Sequence, residues 1–90
     1  MGDFDWDVEK NIRLQTTRGV SFDDIVTAIN QGDTLDDYSH PNSKRYPNQR
    51  ISVVKINNYA YLVPYVETMS GAFLKTIIPS RKATKKYLNL

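Results

Sequence analysis

Ninety residues with no cysteine and a formal charge of +2 imply one domain with one core, and exclude a disulfide framework, a thiolate nucleophile and a cysteine-based zinc site. A hydrophobic fraction of 40% is too high for a disordered chain, and no segment is long and apolar enough to cross a membrane. The acidic start, MGDFDWDVEK, has neither the basic flank nor the apolar run of a secretory signal, so the cytoplasm is the expected location.

Helices come first in the chain. Phe4 to Trp6 is a short aromatic stretch, and Asp7 then reads as the N-cap of a helix that runs through Val8 and Ile12 and stops at Gly19. Ser21 with Asp24 three residues on reads as a capping box. Phe22, Ile25, Val26 and Ile29 follow at helical spacing, and Gly32 closes the element. Asp23 and Asp24 lie in its first turn, where the helix dipole favours carboxylates, so that pair is read as structural.

From Asp33 the period becomes extended. Thr34 to Tyr38 is a first strand of low apolar content, His40 to Gln49 a polar loop with two prolines, and Ile51 to Ile56 a second strand. Asn57-Asn58 is a turn signal that leads into a hairpin partner over Tyr59 to Val66. Pro64 within that partner argues for an edge position or a bulge. A turn at Thr68 to Gly71 precedes a last strand, Phe73 to Ile78, ended by Pro79. Residues 80 to 90 form a short basic helix with Ser80 or Thr84 near its start. The order predicts an α+β fold: two N-terminal helices packed on one face of an antiparallel sheet of three to four strands, with a short C-terminal helix.

Charge divides sharply along this order. Residues 1 to 40 carry nine of the ten acidic side chains against Lys10, Arg13 and Arg18, a net of −6. Residues 41 to 90 carry the other nine Lys and Arg against Glu67 alone, a net of +8. A basic half of this kind is the footprint of a surface that meets phosphates or an acidic partner. RNA cleavage without a metal needs a proton acceptor for the 2′-hydroxyl, a proton donor for the leaving oxygen and positive charge at the phosphorane, all of which Arg, Lys and Tyr can supply when tuned. Two-metal catalysis would need carboxylates converging on the basic surface, and nearly all of them lie in the other half.

Several short stretches together carry a family resemblance. Phe4-Asp5-Trp6-Asp7 with Lys10 and Asn11, Arg18-Gly19-Val20-Ser21-Phe22, Asp37 and His40 ahead of a basic loop, and Lys75-Thr76-Ile77-Ile78-Pro79-Ser80-Arg81-Lys82-Ala83-Thr84 occur in an order and spacing that resemble the BrnT family of bacterial type II toxins. The resemblance covers nearly the whole chain. It implies a RelE-like fold, ribonuclease activity without a cofactor, and neutralisation by a ribbon-helix-helix antitoxin in a heterotetramer built on an antitoxin dimer. Differences are local: Thr17-Arg18-Gly19 stands where many relatives have Lys-His-Gly, Gln49 where a Glu often precedes the Arg, and Ile78-Pro79-Ser80-Arg81 where relatives have Ile-Ser-Ala-Arg.

The candidate catalytic set is Arg81, Lys75, Arg50 and His40. Arg81, in the most distinctive of the shared motifs, is suited to bidentate phosphate contact. Lys75 falls on one strand face with Phe73 and Arg81 if pairing is regular across Pro79, which places an aromatic beside two cations. Arg50 opens the second strand, from which an inward-turning guanidinium would reach the same phosphate. His40 is the only histidine, the residue type that exchanges a proton near neutrality without tuning. Lys44, Arg45, Lys82, Lys85 and Lys86 are candidate RNA-binding cations, and Tyr46 is a stacking or proton-donor candidate. Two other functions compete: a nucleic-acid or protein binding module without chemistry, and a subunit whose basic face only receives an antitoxin.

Overall fold

The computed structural model describes residues 3–90. Its helices begin and end where the capping residues dictate. Asp7 accepts the backbone N–H of Lys10 at 3.2 Å at the start of α1 (Val8–Arg18), and Gly19 ends the helix in the left-handed region at φ 70°. At α2 (Phe22–Asn30) the box is reciprocal: Asp24 accepts the Ser21 N–H at 2.9 Å and Ser21 Oγ accepts the Asp24 N–H at 3.2 Å. Asn11 ties the two helices together. Its Oδ1 accepts the Phe22 N–H at 2.6 Å, one of the donors a helix start leaves without a partner, and its Nδ2 donates to Asp23 Oδ2 at 3.2 Å.

Among the described residues the sheet has six strands and is mixed, against the expected three to four antiparallel ones. Besides β2 (Thr34–Ser39), β3 (Gln49–Ile56) and β4 (Tyr59–Thr68), it holds β1 (Asp3–Asp5), β5 (Gly71–Leu74) and β6 (Ile78–Pro79). The order is β1-β5-β4-β3-β2, with β6 also on β4. Strand β1 was read only as an aromatic stretch, and it pairs parallel to β5. The two approach so closely that a Cβ on Gly71, at φ 149°, would lie 1.9 Å from the Asp3 carbonyl oxygen, so this pairing requires glycine. Asn57 and Asn58 both take positive φ, 52° and 61°, and make the tight turn between β3 and β4.

The predicted last strand is two short ones. Residues 75–77 leave the ladder between β5 and β6, and Pro79 is the last residue of β6, so it ends a strand of two residues and not one running on from Phe73. Pro64 explains the break. It sits in β4, a central strand, and its carbonyl accepts the Lys75 N–H at 2.8 Å. The N and O of one extended residue point to the same side, so the missing proline N–H faces this gap and costs β3 no hydrogen bond. Arg18 Nη1 donates to the Ile77 carbonyl and fastens the crossing to the end of α1. Opposite Pro64 the register slips by one, since Leu74 pairs with Tyr65 and Ile78 with Leu62, so the expected bulge lies in the strand facing it; a second lies between Thr34 and Asp36 on β2.

Alternation along β3 and β4 gives the sheet two packed faces. Val54 and Val63 point to α1 and α2, where they join Leu14, Val20, Phe22, Ile25, Ala28, Leu74 and Ile77 in the main core. Trp6 stacks on Phe22 at 5.7 Å and closes its edge. Val53 and Ala60 point the other way and pack with Ala83 of α3 (Arg81–Leu88), so the C-terminal helix covers the face opposite the first two helices.

Candidate nucleic-acid interface

Helix α3 starts at Ser80, whose Oγ accepts the Ala83 N–H at 3.0 Å. Ala83 and Thr84 are buried, and Thr84 Oγ1 accepts the Ala60 N–H at 2.9 Å while donating to the Ser80 carbonyl at 2.8 Å. At the far end the Tyr87 hydroxyl donates to Asp36 Oδ2 at 2.5 Å. That bond, with the Asp37 N–H on the same carboxylate, holds Asp36 below the usual carboxylate range, and it pushes Tyr87 up to about 12. With its inner side fixed in this way, the helix leaves Arg81, Lys82, Lys85 and Lys86 exposed. Lys82 and Lys86 border a groove of about 460 Å³ against β2, together with Asp36, Tyr38 and Tyr87.

The register separates the four catalytic candidates. Phe73 pairs with Val66 on the α3 side of the sheet, and Lys75 Nζ lies 5.4 Å from its ring centroid. The strand is irregular after Leu74 and Arg81 is the first residue of a helix, so the regular pairing that would carry Lys75 and Arg81 along one strand face is absent. Arg50 shares the alternation of Ser52 and Val54 and therefore lies on the α1–α2 side. An Arg50 guanidinium reaching the phosphate held by Arg81 is thus corrected by the register: the two belong to opposite faces.

Arg50 is instead engaged by a group that sequence reading left outside the candidate set. Its Nε donates to Asp37 Oδ1 at 2.7 Å and its Nη1 to Ser39 Oγ at 3.3 Å, while the Tyr65 hydroxyl donates to Asp37 Oδ2 at 2.5 Å. Asp37 raises the Arg50 pKa further, so the guanidinium stays charged and ion-paired. Burial first, and then the bond to Asp37, pushes Tyr65 up to about 12 from an ordinary value of 10.0. The interaction is therefore fully present below pH ~10 and is lost as pH rises through the folded value. In an ultraviolet titration the Tyr65→Phe difference curve should show its midpoint near pH 12, and Asp37→Ala should move it down. A Tyr65 midpoint unaltered by Asp37→Ala would mean that the carboxylate does not hold the phenol.

The 40s loop is self-braced. The His40 N–H bonds the Gln49 carbonyl at 2.9 Å, the Tyr46 N–H bonds the Asn42 carbonyl at 2.9 Å, and the Arg45 N–H bonds Asn42 Oδ1 at 3.2 Å. His40 Nδ1 accepts the Asn42 N–H at 3.0 Å, which assigns the neutral ring's proton to Nε2. Nε2 of His40 is therefore the donor in this geometry, and its Nδ1 lone pair is taken by the backbone. The His40 and Tyr46 rings lie 4.5 Å apart, with the Arg45 guanidinium 5.7 Å from the Tyr46 centroid.

The fold thus gathers His40, Arg45 and Tyr46 at one loop and Arg81, Lys82, Lys85 and Lys86 on one helix, and sets Arg50 apart with Asp37. Among the described residues Lys44, Arg45, Lys75, Arg81, Lys82, Lys85 and Lys86 make no ion pair; Arg50–Asp37 and Lys55–Asp33 are the bridges present. No group of three His, Asp or Glu among those residues is arranged to hold a metal ion. Asp37 appears in the sequence only as one of the residues that carry the resemblance, and its contacts with Arg50 and Tyr65, like the Asp36–Tyr87 pair, are not legible there, because they join strands or helices 28 to 51 residues apart or depend on the β2–β3 register. Comparison with protein-family models, curated proteins and solved structures finds no match to this chain.

Proposed function

We propose that this protein is a BrnT-like, RelE-type toxin that binds RNA along α3 and the 40s loop and cleaves it without a metal, inhibiting translation. One observation carries the reading: α3 holds four exposed cations that make no ion pair among the described residues, two of them, Arg81 and Lys82, in its first turn, with Asp36 across the groove the nearest carboxylate influence, on Lys86. The helix dipole opposes cations at that end, so helix stability does not account for them, and an external polyanion does. In the reaction the 2′-hydroxyl gives its proton to a base as its oxygen attacks the adjacent phosphorus. The bond to the 5′-oxygen breaks, and that oxygen takes a proton from an acid, giving a 2′,3′-cyclic phosphate end and a 5′-hydroxyl end with no net proton consumed. Arg81 and Lys82 neutralise the phosphorane, while the 40s loop, about six residues further along β4, holds a neighbouring stretch of the strand.

The same reading supplies a partner and a location. A ribbon-helix-helix antitoxin with an acidic or amphipathic segment would cover the basic face, in a heterotetramer around an antitoxin dimer, in the cytoplasm. No helix among the described residues is long and apolar enough to cross a membrane. A second reading, RNA binding without cleavage, is favoured by the engagement of Arg50 with Asp37 and by its position across the sheet from α3.

The test is incubation of the purified chain with end-labelled single-stranded RNA in excess EDTA, with Arg81→Ala beside it. Cyclic phosphate ends that fall by about two orders of magnitude in the variant, as removal of a transition-state charge contact does, are the expected result. Bound but intact RNA, on free substrate and on translating ribosomes alike, would replace the toxin reading with the binding one.

A further inference from the structure

We infer that the 40s loop is a nucleobase-stacking site that makes the protein select unpaired RNA over duplex; this rests on the RNA reading above and names its substrate class. The two rings of the loop, His40 and Tyr46, belong to neither hydrophobic cluster of the fold. Tyr46 is therefore not part of the packed core, and its ring is set beside His40 and Arg45. Arg45 is exposed while both rings, tilted at 42° to each other, are half-buried, so the guanidinium is the solvent end of the group.

Each property of that group matches the chemistry of a single-stranded base. Aromatic and guanidinium planes accept any base by its π-face, whereas in duplex RNA those faces are occupied by neighbouring pairs. The loop's internal hydrogen bonds, including closure of its base through Gln49 N–H to the Tyr46 carbonyl at 3.2 Å, hold the planes in place before binding, so little ordering cost remains. Lys44 and Arg45 carry unpaired charge beside the planes for the flanking phosphates. The groove of about 360 Å³ beside the loop, lined by Ser39, Pro47, Asn48, Gln49, Arg50, Val66 and Glu67, holds a carboxylate that disfavours a phosphate, so the phosphates fall on the Lys44 and Arg45 side.

The probe is a 2′-O-methyl oligoribonucleotide, which cannot be cleaved, offered as a single strand and as a blunt duplex at one salt concentration to wild type, Tyr46→Ala and Tyr46→Phe. Tyr46→Ala is expected to weaken single-strand binding on the order of tenfold and to leave duplex binding unchanged, with Tyr46→Phe close to wild type. Equal losses on both probes, or no loss on either, overturns the stacking site and leaves the loop as a contact for charge or for a protein partner. Wild type that binds neither probe removes the RNA reading itself, an outcome distinct from the other two. Because Tyr46 lies outside both clusters, the alanine variant keeps the fold, which the unchanged duplex affinity also reports.

Discussion

Phe22→Ala should destabilise the fold by about 3–5 kcal/mol, the cost of emptying a large buried aromatic site. The side chain is fully buried in the main core and stacks on Trp6 at 5.7 Å with an interplanar angle of 24°. It is also the first residue of α2, immediately after the capping serine, so the helix start cannot move to refill the space without giving up the Ser21–Asp24 box and the Asn11 bond to the Phe22 N–H. Against a total stability of about 5–15 kcal/mol for a domain of this kind, the loss is a large fraction. Thermal unfolding followed by circular dichroism should show a midpoint lower by at least about 12 °C. Ile12→Ala, on the outer side of α1 at 60% exposure, should fall within about 0.5 kcal/mol of wild type. Equal effects of the two substitutions would mean that the core is not organised around the start of α2.

The contrast between those two positions marks what local sequence carries and what it does not. Both lie in amphipathic helices, and the second helix was legible because its signals are all within a few residues: a reciprocal cap, apolar spacing and a stop. The Asn57-Asn58 turn and the Ser80 cap were legible for the same reason, since each depends on one residue's own backbone preference or side-chain reach. Strand β1 was hidden because its three residues become a strand only by lying against Gly71, nearly seventy positions away. The break at residues 75–77 follows from Pro64 in another strand, and no reading of Lys75 to Ile77 alone contains it.

The candidate site divides along the same line. The unpaired cations were visible as composition, and their clustering on α3 followed from the helix assignment. Whether Arg50 was free was a question of register, because Asp37 reaches it only when Ser39 pairs with Arg50 across β2 and β3. His40 was visible as the single histidine, but its Nδ1 is taken by a backbone N–H two residues on, a turn geometry that residue identity does not specify. Net charge therefore located the cations that make no ion pair among the described residues, and register and turn geometry decided what each of the remaining groups touches.

Replacing Arg81, Lys82, Lys85 and Lys86 together by glutamine should weaken single-stranded RNA binding on the order of a hundredfold at low salt and lower the salt slope by up to about 3, since each phosphate contact on a single strand contributes roughly 0.7 to that slope. The helix itself should survive. Its hold on the sheet comes from Ala83, Thr84 and the Tyr87–Asp36 bond, none of which is altered, and glutamine matches Lys and Arg in helix propensity. The dipole terms oppose one another: neutralising Arg81 and Lys82 relieves the first turn, and neutralising Lys85 and Lys86 removes favourable charge from the last. Fluorescence anisotropy across a salt series measures affinity and slope together, so a general loss of folded protein, which lowers the active fraction at every salt concentration, is distinguished from loss of phosphate contacts, which flattens the slope. A slope unchanged from wild type would remove α3 from the RNA face and leave its four cations to a protein partner, while a slope lower by about 0.7 would reduce the contact to a single phosphate.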